Sequence, residues 1–477
     1  MLDDGAAAAA ALRAGSPGRA AIRYASVASL GGLLFGYDIS VTNGAVKSLQ
    51  AQFQIGDAGL GLAVAAALMG AAAGAVIAGR VADRTGRLAM MKLSAALVFA
   101  CGLGAGLASS VWMFAAFHAV GGIGIGVSAA IVPAYIAEIS PPGVRGRLVS
   151  LQQLGVVCGI FLALAVGVLP FHVAGGAHGQ AWLGLAAWRW TFLGEMVPAL
   201  VYGALLFTIP ESPRYLVAAQ RSTEARRVLR TLGLDAETLV GAIAETVRHE
   251  TPPSWRDLRT PTGGLVPIVW VGLGLAVFQQ LVGITVIFYY SDALWQQVGF
   301  GEQSSTVIAL VTSVVNVAIT LAAMALIDRI GRRPLLLAGS AGMTVTLATM
   351  AIVLGSAPTV DGRRVLGGAC GLTVLVAANL FVVAFGISWG PVLWVLLGEM
   401  FPNRIRSVAL GLVSAAQWLT NWAVTVTFPA LRHTLGFAYG CYATSAALSF
   451  LFVWRWVRET RGVPLEDMRA ELTGDQE

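Results

Sequence analysis

Two stretches decide how this chain folds: "GRVADRTGRLAMM" at residues 79–91 and "ALIDRIGRRPLLL" at residues 325–337. Each carries Asp, Arg, Gly and Arg in the same order, and Asp83 and Asp328 stand 245 residues apart. Two more pairs repeat at nearly the same offset. "YIAEISPPGVRGRL" echoes "LLGEMFPNRIRSVAL", with Glu138 and Glu399 separated by 261 residues and each followed seven residues later by Arg145 and Arg406. "PESPRYL" and "RETRGVPL" put Glu211 and Glu459 248 residues apart. Three paired motifs at one approximate offset imply a duplicated unit.

The unit is a membrane bundle. Of 477 residues, 57 % are hydrophobic and 12 % charged, against about 45–50 % and about 25 % in soluble domains. A spanning helix needs about 20 apolar residues. Twelve such segments begin near residues 24, 58, 89, 111, 149, 186, 264, 303, 334, 368, 405 and 435. They fall as six, a gap and six. The expected architecture is an all-α membrane protein whose twelve transmembrane helices form two pseudo-symmetric halves of six. Residues 1–23 read as a disordered cytoplasmic tail, 24–209 as the first half, 210–263 as a cytoplasmic helical linker, 264–457 as the second half and 458–477 as a cytoplasmic tail. The linker contains "RSTEARRVLRTLGL" (221–234), whose charge pattern suits short amphipathic helices at the membrane surface.

Cationic side chains resist translocation, so their distribution sets orientation. With both termini cytoplasmic, the inner short loops hold eleven Lys or Arg residues and the outer loops five. The formal net charge of +6 then faces anionic lipid and needs no nucleic acid. Cys101, Cys158, Cys370 and Cys441 all fall within spans at no metal-ligand spacing, and read as small buried hydrophobes. No metal, cofactor or nucleophile with its base is expected, so an enzyme is not. "GGIGIG" (121–126) has nucleotide-loop glycine spacing only loosely and lies in mid-membrane, where small residues serve close helix packing.

In "FQQLVGITVIFYY" (278–290) two adjacent amides enter an apolar span. On an ideal helix Thr285 sits about 120° from Gln279 and about 140° from Gln280. A break at Gly283 lets Gln279, Gln280, Thr285 and Tyr289 converge, and irregular backbone is tolerated where it lines a cavity. Amides can instead glue helix to helix. Other polar groups in the spans are Gln153, Asn316, Trp394, Gln417 and Asn421. Amides offer donor and acceptor on one group, which suits a sugar's hydroxyls, and an aromatic face packs on its C–H side.

The paired motifs, with "GGLLFGYDISVTNGAV" (31–46), "SWGPVLWVLLGEMFPNRIR" (388–406) and "AAQWLTNW" (415–422), resemble the sugar porter branch of the major facilitator superfamily from about residue 30 to about residue 468. The resemblance is greatest to bacterial proton-coupled glucose and xylose symporters. It implies the twelve-helix major facilitator fold, whose repeat architecture is a general one for transporters. It implies sugar contacts at Gln153, Gln279, Gln280, Asn316, Trp394 and Gln417, with Phe35 and Tyr289 at aromatic positions. The family usually has Asn where this chain has Thr285. Ile160 replaces a polar residue of the xylose symporters, which favours a hexose.

Ionisable residues within spans are functional candidates: Asp38, His118 and Glu195. An Asp that meets a cation in one state and loses it in another takes up and releases a proton. Passive relatives tend to have Asn at the first position, so Asp38 argues for symport. Symporters carry Arg where this chain has His118, which either couples protons with Asp38 or is a satisfied core residue. Glu195 matches an acidic residue of the xylose symporters. The repeated Asp83, Arg87, Glu138, Arg145, Glu211, Asp328, Arg332, Glu399, Arg406 and Glu459 are expected to lock the halves together on the inner side in one state and part in another. The expected protein is a plasma-membrane monomer importing a monosaccharide with protons. Glucose leads; xylose or another hexose is next. A uniporter and a transporter-like sugar sensor are the alternatives.

Overall fold

The computed structural model describes residues 18–460, except 142–143, 178, 250–254, 261–262, 291–294, 296–300, 358, 361–362, 365–367, 402 and 432–433. Six long helices come first: α1 (Arg19–Phe53), α2 (Asp57–Thr85), α3 (Arg87–Gly106), α4 (Val111–Ile139), α5 (Arg145–Ala174) and α6 (Ala187–Leu205). Three short ones follow: α7 (Pro213–Ala218), α8 (Ser222–Thr231) and α9 (Ala236–His249). The second set comprises α10 (Pro267–Leu281), α11 (Ile284–Tyr289), α12 (Glu302–Ile330), α13 (Arg332–Ser356), α14 (Gly368–Ile387), α15 (Pro391–Met400), α16 (Asn403–Leu431) and α17 (Leu435–Trp456). The spans begin within five residues of the starts read from hydropathy.

Eleven segments among the described residues are long and apolar enough to cross a bilayer; α10 with α11, and α14 with α15, each count as one. The remaining helix, α16, is 29 residues long, but Gln417, Thr420, Asn421, Thr425 and Thr427 dilute its apolar content. The first helix starts earlier than expected, at Arg19. Its charged opening turns are usable because Arg23 donates to the Thr208 carbonyl just past α6; residues 19–23 are therefore helix, not tail.

Helix α2 packs on α4 through the "GGIGIG" run. A Cβ added at Gly122 or Gly126 would lie 2.0 Å from the carbonyl oxygen of Ala67 or Ala71. The glycines bring two backbones together and hold no nucleotide, as small residues do between membrane helices.

The duplication shows in the backbone. α2 ends at Gly86 (φ +95°) and α12 at Gly331 (φ +104°), a conformation open to glycine and strained for other residues. Each glycine lets the following helix turn back at once.

Candidate functional site

The spanning segment that carries the paired glutamines is broken where the angular conflict required it. α10 ends at Leu281, Gly283 adopts φ +79°, and α11 starts at Ile284. The break turns Thr285 back toward its own helix, where its hydroxyl donates to Gln280 Oε1 at 2.9 Å. Gln280 Nε2 donates to Gln279 Oε1 at 3.4 Å, and Gln417 Nε2 donates to the same oxygen. Gln279 Nε2 in turn donates to the Trp389 carbonyl at 2.8 Å. That carbonyl is available because the chain between α14 and α15 is not helical, Pro391 opening the next helix. All four polar side chains are buried, and Gln417 Oε1 has no partner among the described residues. The amides thus orient one another and leave an acceptor free.

The network is built by the second half. The first half contributes Gln153, half-buried on α5, whose Nε2 lies 3.9 Å from where a Cβ on Gly390 would stand. Asn316 is buried on α12, its Oδ1 3.4 Å from a Cβ built on Gly386. Asn421 accepts from Thr425, and the Thr425 carbonyl accepts from Tyr290. Phe35 meets Trp418 edge-on, ring centres 5.3 Å apart. Trp394 is outside this network and 38 % exposed; the tryptophan that joins the amides is Trp389, through its backbone. Ile160 is buried where α5 crosses α1 at Gly36. The Tyr289 side chain lies outside the described residues.

A second polar cluster sits in the first half. Asp38 on α1 and His118 on α4 meet with Oδ1 3.4 Å from Nε2, both fully enclosed. His118 Nδ1 faces the Ala63 carbonyl at 3.3 Å. Glu195 on α6 is buried with neither oxygen partnered among the described residues, and ligand atoms of Asp38, Glu195 and Cys101 lie within 4.8 Å of one another. Phe114 and Phe192 cover the imidazole, with ring centres 5.2 and 6.1 Å away. Sequence reasoning gathered the three ionisable residues but missed Cys101. Burial of all four cysteines was expected, yet Cys101 alone is buried; Cys158 is half-buried, and Cys370 and Cys441 are exposed.

The repeated charges form two clusters of the same design. Arg87 donates to Glu138 at 3.2 Å and to the Ala82 carbonyl, with Asp83 also 3.2 Å away. Glu211 accepts from the backbone N–H groups of Arg87 and Leu88. In the second half Arg332 grips Glu399 through Nε and Nη2 at 3.1 and 2.8 Å and donates to the Ile327 carbonyl. Glu459 accepts from Arg332 and Arg333 N–H at 2.9 Å each. Two hydroxyls complete the pattern: Ser212 donates to Glu138, Thr460 to Glu399. In this conformation every bond named closes within one half, and none of them joins the halves. The chain leaving the sixth helix of each unit returns a glutamate to cap that unit's third helix, where a carboxylate suits the exposed N–H groups. Arg145 is not Glu138's partner; it stands exposed at the start of α5, without an ion pair among the described residues. The Asp328 and Arg406 side chains lie outside the described residues.

Known proteins are similar to this one over nearly its whole length. The family model described as "Sugar (and other) transporter" matches residues 24–472. A "Glucose transport protein" of Synechocystis sp. is 50 % identical over 446 residues, 93 % of this chain and 95 % of the relative. A "D-xylose-proton symporter" of Escherichia coli is 34 % identical over 93 % of this chain and 94 % of its own. The solved structure of the proton:xylose symporter XylE bound to 6-bromo-6-deoxy-D-glucose superposes with a TM-score of 0.81 at 33 % identity, covering 95 % of this chain and 99 % of that one. The chain is a multi-pass membrane transporter, not an enzyme, and it belongs to the sugar transporter family of the major facilitator superfamily.

Proposed function

We propose that the protein is a monomeric plasma-membrane carrier, both termini cytoplasmic, that imports a monosaccharide in symport with protons by alternating access. Glucose is the first candidate, xylose or another hexose the next. One observation carries the reading: one half encloses an Asp38, His118 and Glu195 cluster while the other holds an uncharged network of buried amides. The relatives named for glucose transport and for xylose–proton symport support both parts.

The amide site suits a neutral polyol. Gln417 Oε1 accepts from a sugar hydroxyl, the amide N–H groups not already bonded donate to others, and Gln153 closes the site from the opposite half. The charged cluster suits proton exchange. Two carboxylates beside one neutral imidazole carry two negative charges, so in a water-excluded space the cluster is neutral overall only with two protons held among them. Protonation of Asp38 from outside weakens its hold on His118 and favours sugar entry. Sugar bound between the halves permits closure, and inward opening lets Asp38 release its proton to the cytoplasm. Both ligands then bias one equilibrium. The twin glutamate clusters on α3 and α13 keep each half rigid while the halves rock.

A passive uniporter is the second reading. His118 favours it, because its Nδ1 already faces a backbone carbonyl and its ring is packed between phenylalanines. Counterflow of labelled glucose in proteoliposomes, challenged with unlabelled pentoses, hexoses and polyols, ranks the substrates. Uptake against a gradient that collapses with a protonophore supports symport; equilibration that ignores the protonophore leaves the uniporter.

A further inference from the structure

We propose that Asp38, Cys101, Glu195 and His118 form a binding site for one borderline-soft divalent cation of the zinc and cadmium class. The four side chains come from α1, α3, α6 and α4, so the site is a convergence of helices and not a local motif. Ligand atoms of Asp38, Cys101 and Glu195 lie within 4.8 Å of one another, and His118 Nε2 is 3.4 Å from Asp38 Oδ1. All four are enclosed, and both Glu195 oxygens have no hydrogen-bond partner among the described residues.

The donor set chooses the ion. Bonds of about 2.0–2.3 Å in a tetrahedron put donors about 3.3–3.8 Å apart. The imidazole and Asp38 already stand at that spacing; Asp38, Cys101 and Glu195 close by up to about 1 Å, and the imidazole turns toward the ion they enclose. Thiolate and imidazole select zinc or cadmium over magnesium or calcium, which prefer all-oxygen shells. A guanidinium at position 118 could not ligate a cation, so the site depends on the histidine there and on Cys101. On binding, the Cys101 thiol gives its proton to solvent, and affinity therefore rises with pH. Entry follows the opening that admits protons, so an effect on transport rests on the symport reading, whereas binding does not.

The experiment uses the purified full-length protein with Cys158, Cys370 and Cys441 changed to Ala, leaving Cys101 the sole thiol, titrated with Cd²⁺ alone. The expected result is about one ion per chain by equilibrium dialysis, with an ultraviolet thiolate-to-cadmium band. Cys101→Ser removes the band, and His118→Arg and Glu195→Gln each weaken binding at least about tenfold; gel filtration confirms that each variant is folded. No band, or a band equally strong in both His118→Arg and Glu195→Gln, overturns the site. Uptake in proteoliposomes separates the two readings. Binding that blocks uphill uptake supports both, whereas binding without inhibition keeps the site and removes the cluster from coupling.

Discussion

The Thr285 hydroxyl donates to Gln280 Oε1 at 2.9 Å across the break at Gly283, so the hydroxyl fixes the orientation of the Gln280 amide. Thr285→Val keeps the shape and removes the donor, leaving a buried amide oxygen unpaired at a cost of about 1–3 kcal/mol. The expected outcome is sugar affinity weaker by about 5- to 150-fold, with Thr285→Ser close to the parent, measured as the half-saturation of counterflow. Equal affinity for Val and Thr would show that Gln280 keeps its orientation without the hydroxyl.

Asp38→Asn removes an ionisable carboxyl while keeping its size. Uphill uptake should vanish and sugar-for-sugar exchange should persist, because exchange needs no net proton movement. Accumulation against a gradient in this variant would remove Asp38 from coupling.

His118→Arg puts a permanent cation beside Asp38, where the imidazole Nε2 now stands 3.4 Å from its Oδ1. Where imidazole can be neutral at working pH, guanidinium cannot, so the cluster holds its charge at alkaline pH. The pH profile of uptake should shift; an unchanged profile makes His118 a packing residue against Phe114 and Phe192.

Glu459→Gln removes the negative charge at one of the twin caps. The amide can accept through only one oxygen, whereas Glu459 accepts from Arg332 N–H through one and from Arg333 N–H through the other. A charged cap at a helix N-terminus is worth about 0.5–2 kcal/mol. Thermal unfolding in detergent should fall, and Glu211→Gln should lower it similarly. A loss at one site only would show that the halves do not share this support.

What the sequence could reveal depended on whether a property ran along the chain or across it. Span positions were legible because lipid demands a continuous apolar run, and the break at Gly283 because residues 279, 280 and 285 conflict on one helix. The Arg87 and Arg332 clusters were legible as repeats, but not their closure within each half, since offset says nothing about which carboxylate reaches which helix end. Ser212 and Thr460 went unnoticed beside the charges; the signal was available, a hydroxyl directly after each repeated glutamate. Trp389 was passed over for Trp394 because its contribution is a carbonyl freed by the interruption before Pro391, which side-chain chemistry does not announce. Cys101 reaches Asp38 and Glu195 across three helices, a meeting that spacing in the chain cannot encode.

Gly283 is the most direct test of the site's construction. Its φ of +79° costs an L-residue about 1–2 kcal/mol, and an added Cβ would lie 2.7 Å from the Tyr442 ring. Gly283→Ala should therefore do two things at once: strain the backbone and press on α17. Straightening the break would swing Thr285 away from Gln280 and dissolve the amide network, so sugar affinity should fall along with thermal stability. The double variant Gly283→Ala with Tyr442→Leu relieves the clash and leaves the backbone strain. It should recover part of the stability and little of the affinity. Full recovery of both would assign the whole effect to packing, and undiminished affinity in Gly283→Ala alone would show that sugar recognition does not need the helix to break there.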